Sequence, residues 1–211
     1  MGKGDGVEQD KKITVLQVAT LNQPISPDLG YGPIETVIYN IDKGLHNLGH
    51  RSIVACSGDS KVTGEQFVTV ERSFGEYCSE DTPEKRKSMH LHHFKVLERA
   101  YEGDVDIIHL HDAAIVERIY KGIFKSPVPI VMTLHIPSHD KGSFKQWSET
   151  LTSSSGMYFV PISEYQKRQH YGLVNTMNVI HHGIDVEEYP FKGEMDKVRW
   201  TRKAIYLLSA E

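Results

Sequence analysis

Apolar residues along this chain come in short β-branched runs separated by stretches with helical spacing, and the two patterns alternate. Residues 13–20 (ITVLQVAT) are almost wholly apolar, as expected of a strand covered on both faces. Residues 35–48 then place Val37, Ile38, Ile41, Leu45 and Leu48 on one side of a helix, with Gly49 as its stop. Residues 51–56 (RSIVAC) read as the next strand and complete a β-α-β unit with a right-handed crossover. Residues 67–70 read as a shorter third strand. Thr82-Pro83-Glu84 opens a helix to about Tyr101, with proline at its first position and acid in its first turn. The alternation then repeats: a strand at 106–111 (DIIHLH), a helix at 113–124, a strand at 129–135 (PIVMTLH) and a helix at 144–153. A strand at 158–162 (YFVPI), a short helix at 164–171 and a last buried strand at 178–181 (NVIH) complete it. This predicts an α/β fold, an open, mostly parallel Rossmann-like sheet with helices on both faces.

The two ends depart from the pattern. Residues 1–12 are polar and glycine-rich and read as a flexible N-terminal arm, and residues 13–191 as the Rossmann-like domain. Residues 186–200 are polar, with Pro190 and Gly193, before residues 203–209 (KAIYLLS) turn apolar again. Residues 192–211 therefore read as a linker and the start of a missing or truncated domain. A strand with nothing after it cannot bury both its faces. Self-association, or a separate subunit carrying the missing domain, is the expected remedy.

Composition narrows the partners. A net charge of -4 and a pI near 6.3 create no field that would gather nucleic acid or an anionic membrane. The N-terminus lacks an apolar signal region and no apolar run approaches the ~20 residues of a membrane span, so a cytoplasmic protein is expected. At 211 residues folding removes roughly 70% of the unfolded surface from water, and the core needs neither disulfide nor metal. Cys56 and Cys78 accordingly read as reduced thiols. The 12 histidines are a high count, and several fall at strand ends.

Candidate chemistry begins at Gly30-Tyr31-Gly32-Pro33-Ile34-Glu35, which joins the first strand to the first helix. Glycine there lets backbone N–H groups approach an anion at the positive end of the helix, although a plain turn uses the same residues. In order along the chain come GYGPIE, HLHD at 109–112, TLH at 133–135, PISEYQKR at 161–168 and VIHHGID at 179–185. Over roughly residues 13–191 this series resembles the family 4 glycosyltransferases of the GT-B fold, and in particular their acceptor-side, amino-terminal half.

The resemblance implies two Rossmann-like domains facing across a cleft, a nucleotide sugar (UDP- or GDP-linked) as donor substrate, a sugar or small molecule as acceptor, and no tightly bound cofactor. It places Gly30, Tyr31, Gly32 and Glu35 in a loop against the donor phosphates or acceptor, with Pro33 removing one N–H where relatives often have glycine. It sets His135 over the transferred sugar, within reach of a hydroxyl. His111 and Asp112 fall at the carboxyl end of their strand, the edge where open α/β sheets hold ligands; they can orient an acceptor hydroxyl, or Asp112 can cap the next helix. Ser163 and Glu164 either border the cleft or cap a helix, and Arg168 either faces the donor phosphates or pairs with Glu164. In VIHHGID, His182 stands where the family more often has asparagine, and the segment reads as structural, leading into the hinge.

Relatives bind the donor mainly through a second domain, for which this chain has no room; Glu76 and Glu84 share the family's glutamate spacing by coincidence. The chain is thus expected to be inactive or weak alone. Transfer is expected to retain configuration by front-face attack, with positioning and phosphate stabilisation carrying catalysis. Other readings remain: a non-catalytic half-protein that binds a sugar or partner, a zinc hydrolase built on His109, His111 and His135, and a nicotinamide oxidoreductase. The last has an incomplete glycine fingerprint, and Cys56-Ser57 stand where an acid belongs.

Overall fold

The strands β1 (Thr14–Val18), β2 (Arg51–Ser57), β3 (Glu65–Val70), β4 (Ile107–Leu110), β5 (Ile130–Leu134) and β6 (Met157–Pro161) join in one sheet of order β3-β2-β1-β4-β5-β6. Every neighbouring pair is parallel. The computed structural model describes residues 11–75, 82–112, 115–116, 125–135, 156–169 and 175–184. The helices in this range are α1 (Pro33–Asn47), α2 (Pro83–Tyr101) and α3 (Glu164–Gln169). The chain is therefore an α/β protein with an open, parallel, Rossmann-like sheet.

Side chains alternate between the faces along each strand, and this divides the core in two. Leu16, Val18, Ile53, Ala55, Ile108, Leu110, Met132, Leu134 and Phe159 pack with Val96 and Ala100 of α2. On the other face Ala19, Val54 and Cys56 pack with Ile25 and with Ile38 of α1. Each Val, Leu, Ile, Met or Phe among them taken fully out of water stabilises the fold by roughly 1.5–3 kcal/mol, so sheet and helices hold together without crosslinks. Cys56 is a free, buried thiol, and burial pushes its pKa up to about 11, which leaves it unreactive at neutral pH.

Helix ends follow their local chemistry. Thr82 caps α2 by accepting a hydrogen bond from Lys85 N at 3.3 Å, and Pro83 begins the helix. α1 starts at Pro33, two residues before the predicted start at residue 35, and ends just before Gly49, which adopts φ +74°, the left-handed conformation that stops helices. No helix links β2 to β3. Instead Asp42 of α1, fully buried, accepts hydrogen bonds from the backbone N–H groups of Thr63 (2.6 Å) and Gly64 (3.1 Å) and so fixes the loop 58–64. At Gly64 a Cβ would stand 2.5 Å from Ser52 O and 2.7 Å from Asp42 Oδ1.

Two further predictions change. β3 begins at Glu65, because its first residues pair with Ile53 and Val54 of β2 despite their polarity. Residues 178–181 are not a buried strand. Thr176 makes one parallel bridge to Phe159, and Ile180 N still reaches Pro161 O at 3.0 Å, but Asn178, Ile180 and His181 are exposed. Of the helix expected at 113–124 the described part is Ile115 and Val116, both helical and buried. The helix at 144–153, the linker and strand after residue 186, most of the N-terminal arm, Glu76, Cys78 and Asp185 lie outside the described residues.

Candidate functional site

The strand order reverses direction between β1 and β4. From β1 the chain moves through α1 to β2 on one side, while β4 to β6 extend on the other. That puts the switch point of the sheet at the carboxyl ends of β1 and β4, the place where open α/β sheets bind ligands. The glycine loop after β1, His111 and Asp112 after β4, His135 after β5 and Ser163 after β6 all meet this edge. His111 is tied directly to β1, its backbone N–H donating to Val18 O at 3.2 Å.

The glycine loop has an outer and an inner part. Gly30 is open, since a Cβ placed there would meet no described atom within 4 Å, and Tyr31 is 74% exposed. Gly32 is buried at the N-cap of α1, and Glu35 is wholly buried, accepting a hydrogen bond from Thr20 Oγ1 at 2.7 Å. Glu35 thus braces the helix start against the end of β1, and Gly30 and Tyr31 form the surface of the loop.

A row of imidazoles crosses the neighbouring strand ends. Ring centroids are 4.2 Å apart for His109 and His111, 5.2 Å for His111 and His135, and 5.2 Å for His135 and His182. His111 Nδ1 and His135 Nε2 are hydrogen-bonded at 2.9 Å, and His109 Nε2 is bonded to Thr133 Oγ1 at 2.8 Å. Burial favours the uncharged ring. It lowers His109 and His135 to about 4 and takes His111 well below the usual histidine value, with the neighbouring imidazoles adding to the shift at His111 and His135. His182 is lowered by the same cause. At neutral pH the row is therefore an uncharged array that gives and receives hydrogen bonds; it cannot act as a cation toward phosphate. Ring nitrogens of His111 and His135 point at each other, and among the described residues no group of three or more His, Cys, Asp or Glu side chains is placed to hold a metal ion.

Residues that the sequence pattern passed over complete the rim. His93 of α2, 2% exposed, donates from Nε2 to Asp112 Oδ2 at 3.3 Å. His92, fully buried, donates from Nε2 to Ala19 O at 3.1 Å and meets Thr69 Oγ1 through Nδ1 at 2.6 Å. It straps α2 to the carboxyl ends of β1 and β3. Both histidines precede Val96 and Ala100 at helical spacing, the signal that marks them as inward-facing. Gln166, also buried, accepts from Ile162 N at 2.8 Å and donates to Leu134 O at 2.9 Å, joining the ends of β5 and β6 immediately before His135. Ser163 caps α3 by accepting from Gln166 N at 3.1 Å, and Glu164 and Arg168 are exposed on that helix. Behind the row a cavity of about 510 Å³ lies between α1, at Val37 and Ile41, and the segment 180–184, with His109 and Thr133 in its wall.

The model of Glycosyltransferase Family 4 matches residues 32–188, a span running from the glycine loop past His182. The chain belongs to glycosyltransferase family 4. Among solved structures, the crystal structure of a glycosyltransferase from Rickettsia africae ESF-5 is similar to this family 4 domain, with a TM-score of 0.56 and 18% sequence identity. That match covers 93% of this chain and 48% of the other, so the family 4 domain spans about half the length of that structure. At such identity the likeness speaks for the fold. No curated protein matches the family 4 domain in sequence. Among the described residues no helix is long and apolar enough to cross a membrane.

Proposed function

We propose that this family 4 domain is the acceptor-side wall of a retaining glycosyltransferase, which moves a sugar from a UDP- or GDP-linked donor to a hydroxyl of a sugar or small-molecule acceptor. The observation that carries the reading is the convergence of the open glycine loop and the uncharged His111–His135 pair on one sheet edge, beside the switch point between β1 and β4. His135 serves a hydroxyl of the transferred sugar, and Asp112, held by His93, orients the acceptor hydroxyl. The backbone around Gly30 and Tyr31 lies against the donor phosphates or the acceptor.

In the proposed step the acceptor oxygen bonds to the anomeric carbon as the bond from that carbon to the nucleoside diphosphate breaks. The leaving phosphate oxygen takes the acceptor's proton, both events on one face of the sugar. A neutral histidine row fits this scheme, because it can position hydroxyls without competing for that proton. Charge on the diphosphate then needs cations that the row does not supply, which agrees with a second, donor-binding half facing this one. Orientation across two walls is worth about 7–11 kcal/mol in favourable systems, and one wall forfeits most of it.

The test is an assay of UDP- and GDP-sugars with a panel of acceptors, run on this chain alone and mixed with a family 4 donor-binding domain, with the anomeric configuration of the product read by NMR. Slow or absent turnover by the chain alone, restored by the second domain with retained configuration, is the expected result. Full-rate transfer by the chain alone, or an inverted product, would overturn it.

A further inference from the structure

We infer that His111 is a positioning residue that sets the tautomer of His135, so that His135 meets its ligand as a hydrogen-bond donor through Nδ1–H. The inference deepens the proposed function, since it rests on His135 facing the sugar. Its basis is an accounting of ring nitrogens. His111 Nδ1 and His135 Nε2 share one hydrogen bond of 2.9 Å, and one of the two must carry the proton. His111 Nε2 is buried and has no hydrogen-bond partner among the described residues.

Two neutral arrangements are open. If His135 Nε2–H donates, His111 must carry its own proton on Nε2, which strands a buried N–H with no acceptor. If His111 Nδ1–H donates, its bare Nε2 lone pair is left unmatched and His135 must hold its proton on Nδ1. Among backbone groups a buried N–H without an acceptor is rarer than an under-satisfied acceptor, and the same preference carried to the ring nitrogens selects the second arrangement. Charging either ring would lift the dilemma, but burial holds both neutral at pH 7.

The packing keeps His111 from escaping this choice. It is 3% exposed, its backbone N–H is bonded to Val18 O, and the His109 ring lies 4.2 Å away, itself held by Thr133. His135 is consequently pre-set before any ligand arrives. The group it presents is a donor suited to a hydroxyl or phosphate oxygen, and it is not a base waiting for a proton.

The experiment is a long-range ¹⁵N–¹H correlation spectrum of the whole chain, labelled with ¹⁵N-histidine, at pH 7 and without ligand, with His135 assigned through a His135→Gln variant. The expected spectrum shows His135 protonated on Nδ1 and bare at Nε2. His111→Phe, which removes the donor, should move His135 toward the Nε2–H form. His111→Asn, whose amide nitrogen stands as many bonds from the backbone as Nδ1, should restore the original form. A wild-type His135 protonated on Nε2, or a tautomer unmoved by His111→Phe, overturns the assignment. If the phenylalanine variant does not fold, the wild-type spectrum still decides. Because the spectrum is read without substrate, the expected tautomer combined with no sugar transfer under any condition would leave this assignment standing and remove the proposed function.

Discussion

The two edges of the sheet handle polar groups in opposite ways. At the amino edge, Arg51 binds Glu65 through two hydrogen bonds and also reaches Asp104 at 2.5 Å, while Arg99 bonds Asp104 and Glu102. Charge there is fully expressed and mutually answered, and both guanidinium pKa values rise while Asp104 is held well below the usual carboxylate range by Arg99 and Arg51. At the carboxyl edge burial keeps His109, His111 and His135 neutral beside the Asp112 carboxylate, and His93 Nδ1 and His111 Nε2 are buried without partners among the described residues. One edge answers its charged groups with one another; the other buries ring nitrogens that no described group answers. The contrast is that within one sheet charge gathers where it can be paired, while the buried imidazoles at the opposite edge keep ring nitrogens without partners.

Acid should separate the edges most strongly. An unfolded histidine takes up a proton near pH 6.5, whereas His92, His109 and His135 stay neutral in the fold to about 4. Between those values the unfolded chain binds more protons, so stability is full above pH 6.5 and falls as pH drops toward 4. Asp104 works in the other window: its depressed pKa contributes stability above the ordinary carboxylate range, lost only at still lower pH. Urea midpoints from pH 7 to pH 3 should thus fall first through the histidine edge. His109→Gln should flatten that first decline, and an unchanged slope would show the row to be irrelevant to it.

Substitutions sharpen the contrast. His135→Ala, assayed in a preparation supplied with a donor-binding domain, should lower turnover on the order of 100-fold, the usual loss for one transition-state donor, with little change in melting temperature. Equal losses in rate and stability would return His135 to a structural role. Arg99→Ala, at the opposite edge, should cost about 2 kcal/mol of stability, since it removes a buried guanidinium with charged partners, and leave the KM for donor unchanged. Smallest of all, Glu65→Gln breaks an exposed pair with Arg51 and should shift stability by no more than about 0.5 kcal/mol in chemical denaturation.

Much of the frame was legible from residue order. β1, β2, β4, β5 and β6 are apolar runs whose burial on two faces leaves little choice of structure, and the Thr82-Pro83 start of α2 is a local signal that tertiary packing does not override. The run at 178–181 misled because Val179 and Ile180 look like a strand core, yet no described neighbour covers the outer side and Ile180 is 61% exposed. Of the rim, His111, Asp112 and His135 could be found because strand ends are ordered in sequence. His92, His93 and Gln166 could not be assigned so easily, since each reaches the rim from a helix and its partner is distant along the chain: Ala19, Asp112 and Leu134. His182 read as part of a hinge, and its place beside His135 depends on how residues 175–184 run alongside β6.

Asp42 and Gly64 bear on the position of helix α1 and so on the glycine loop that leads into it. Helix α1 carries the glycine loop at its leading end, and the Asp42 carboxylate clamps the helix midway to a loop with no space for even a methyl group. Alanine at residue 64 would meet the carbonyl of Ser52 on one side and that carboxylate on the other, so the loop, the Asp42 side chain or the helix behind it would have to shift. A shift of the helix would carry Gly30 and Tyr31 with it, so a substitution at residue 64 would be felt at the glycine loop.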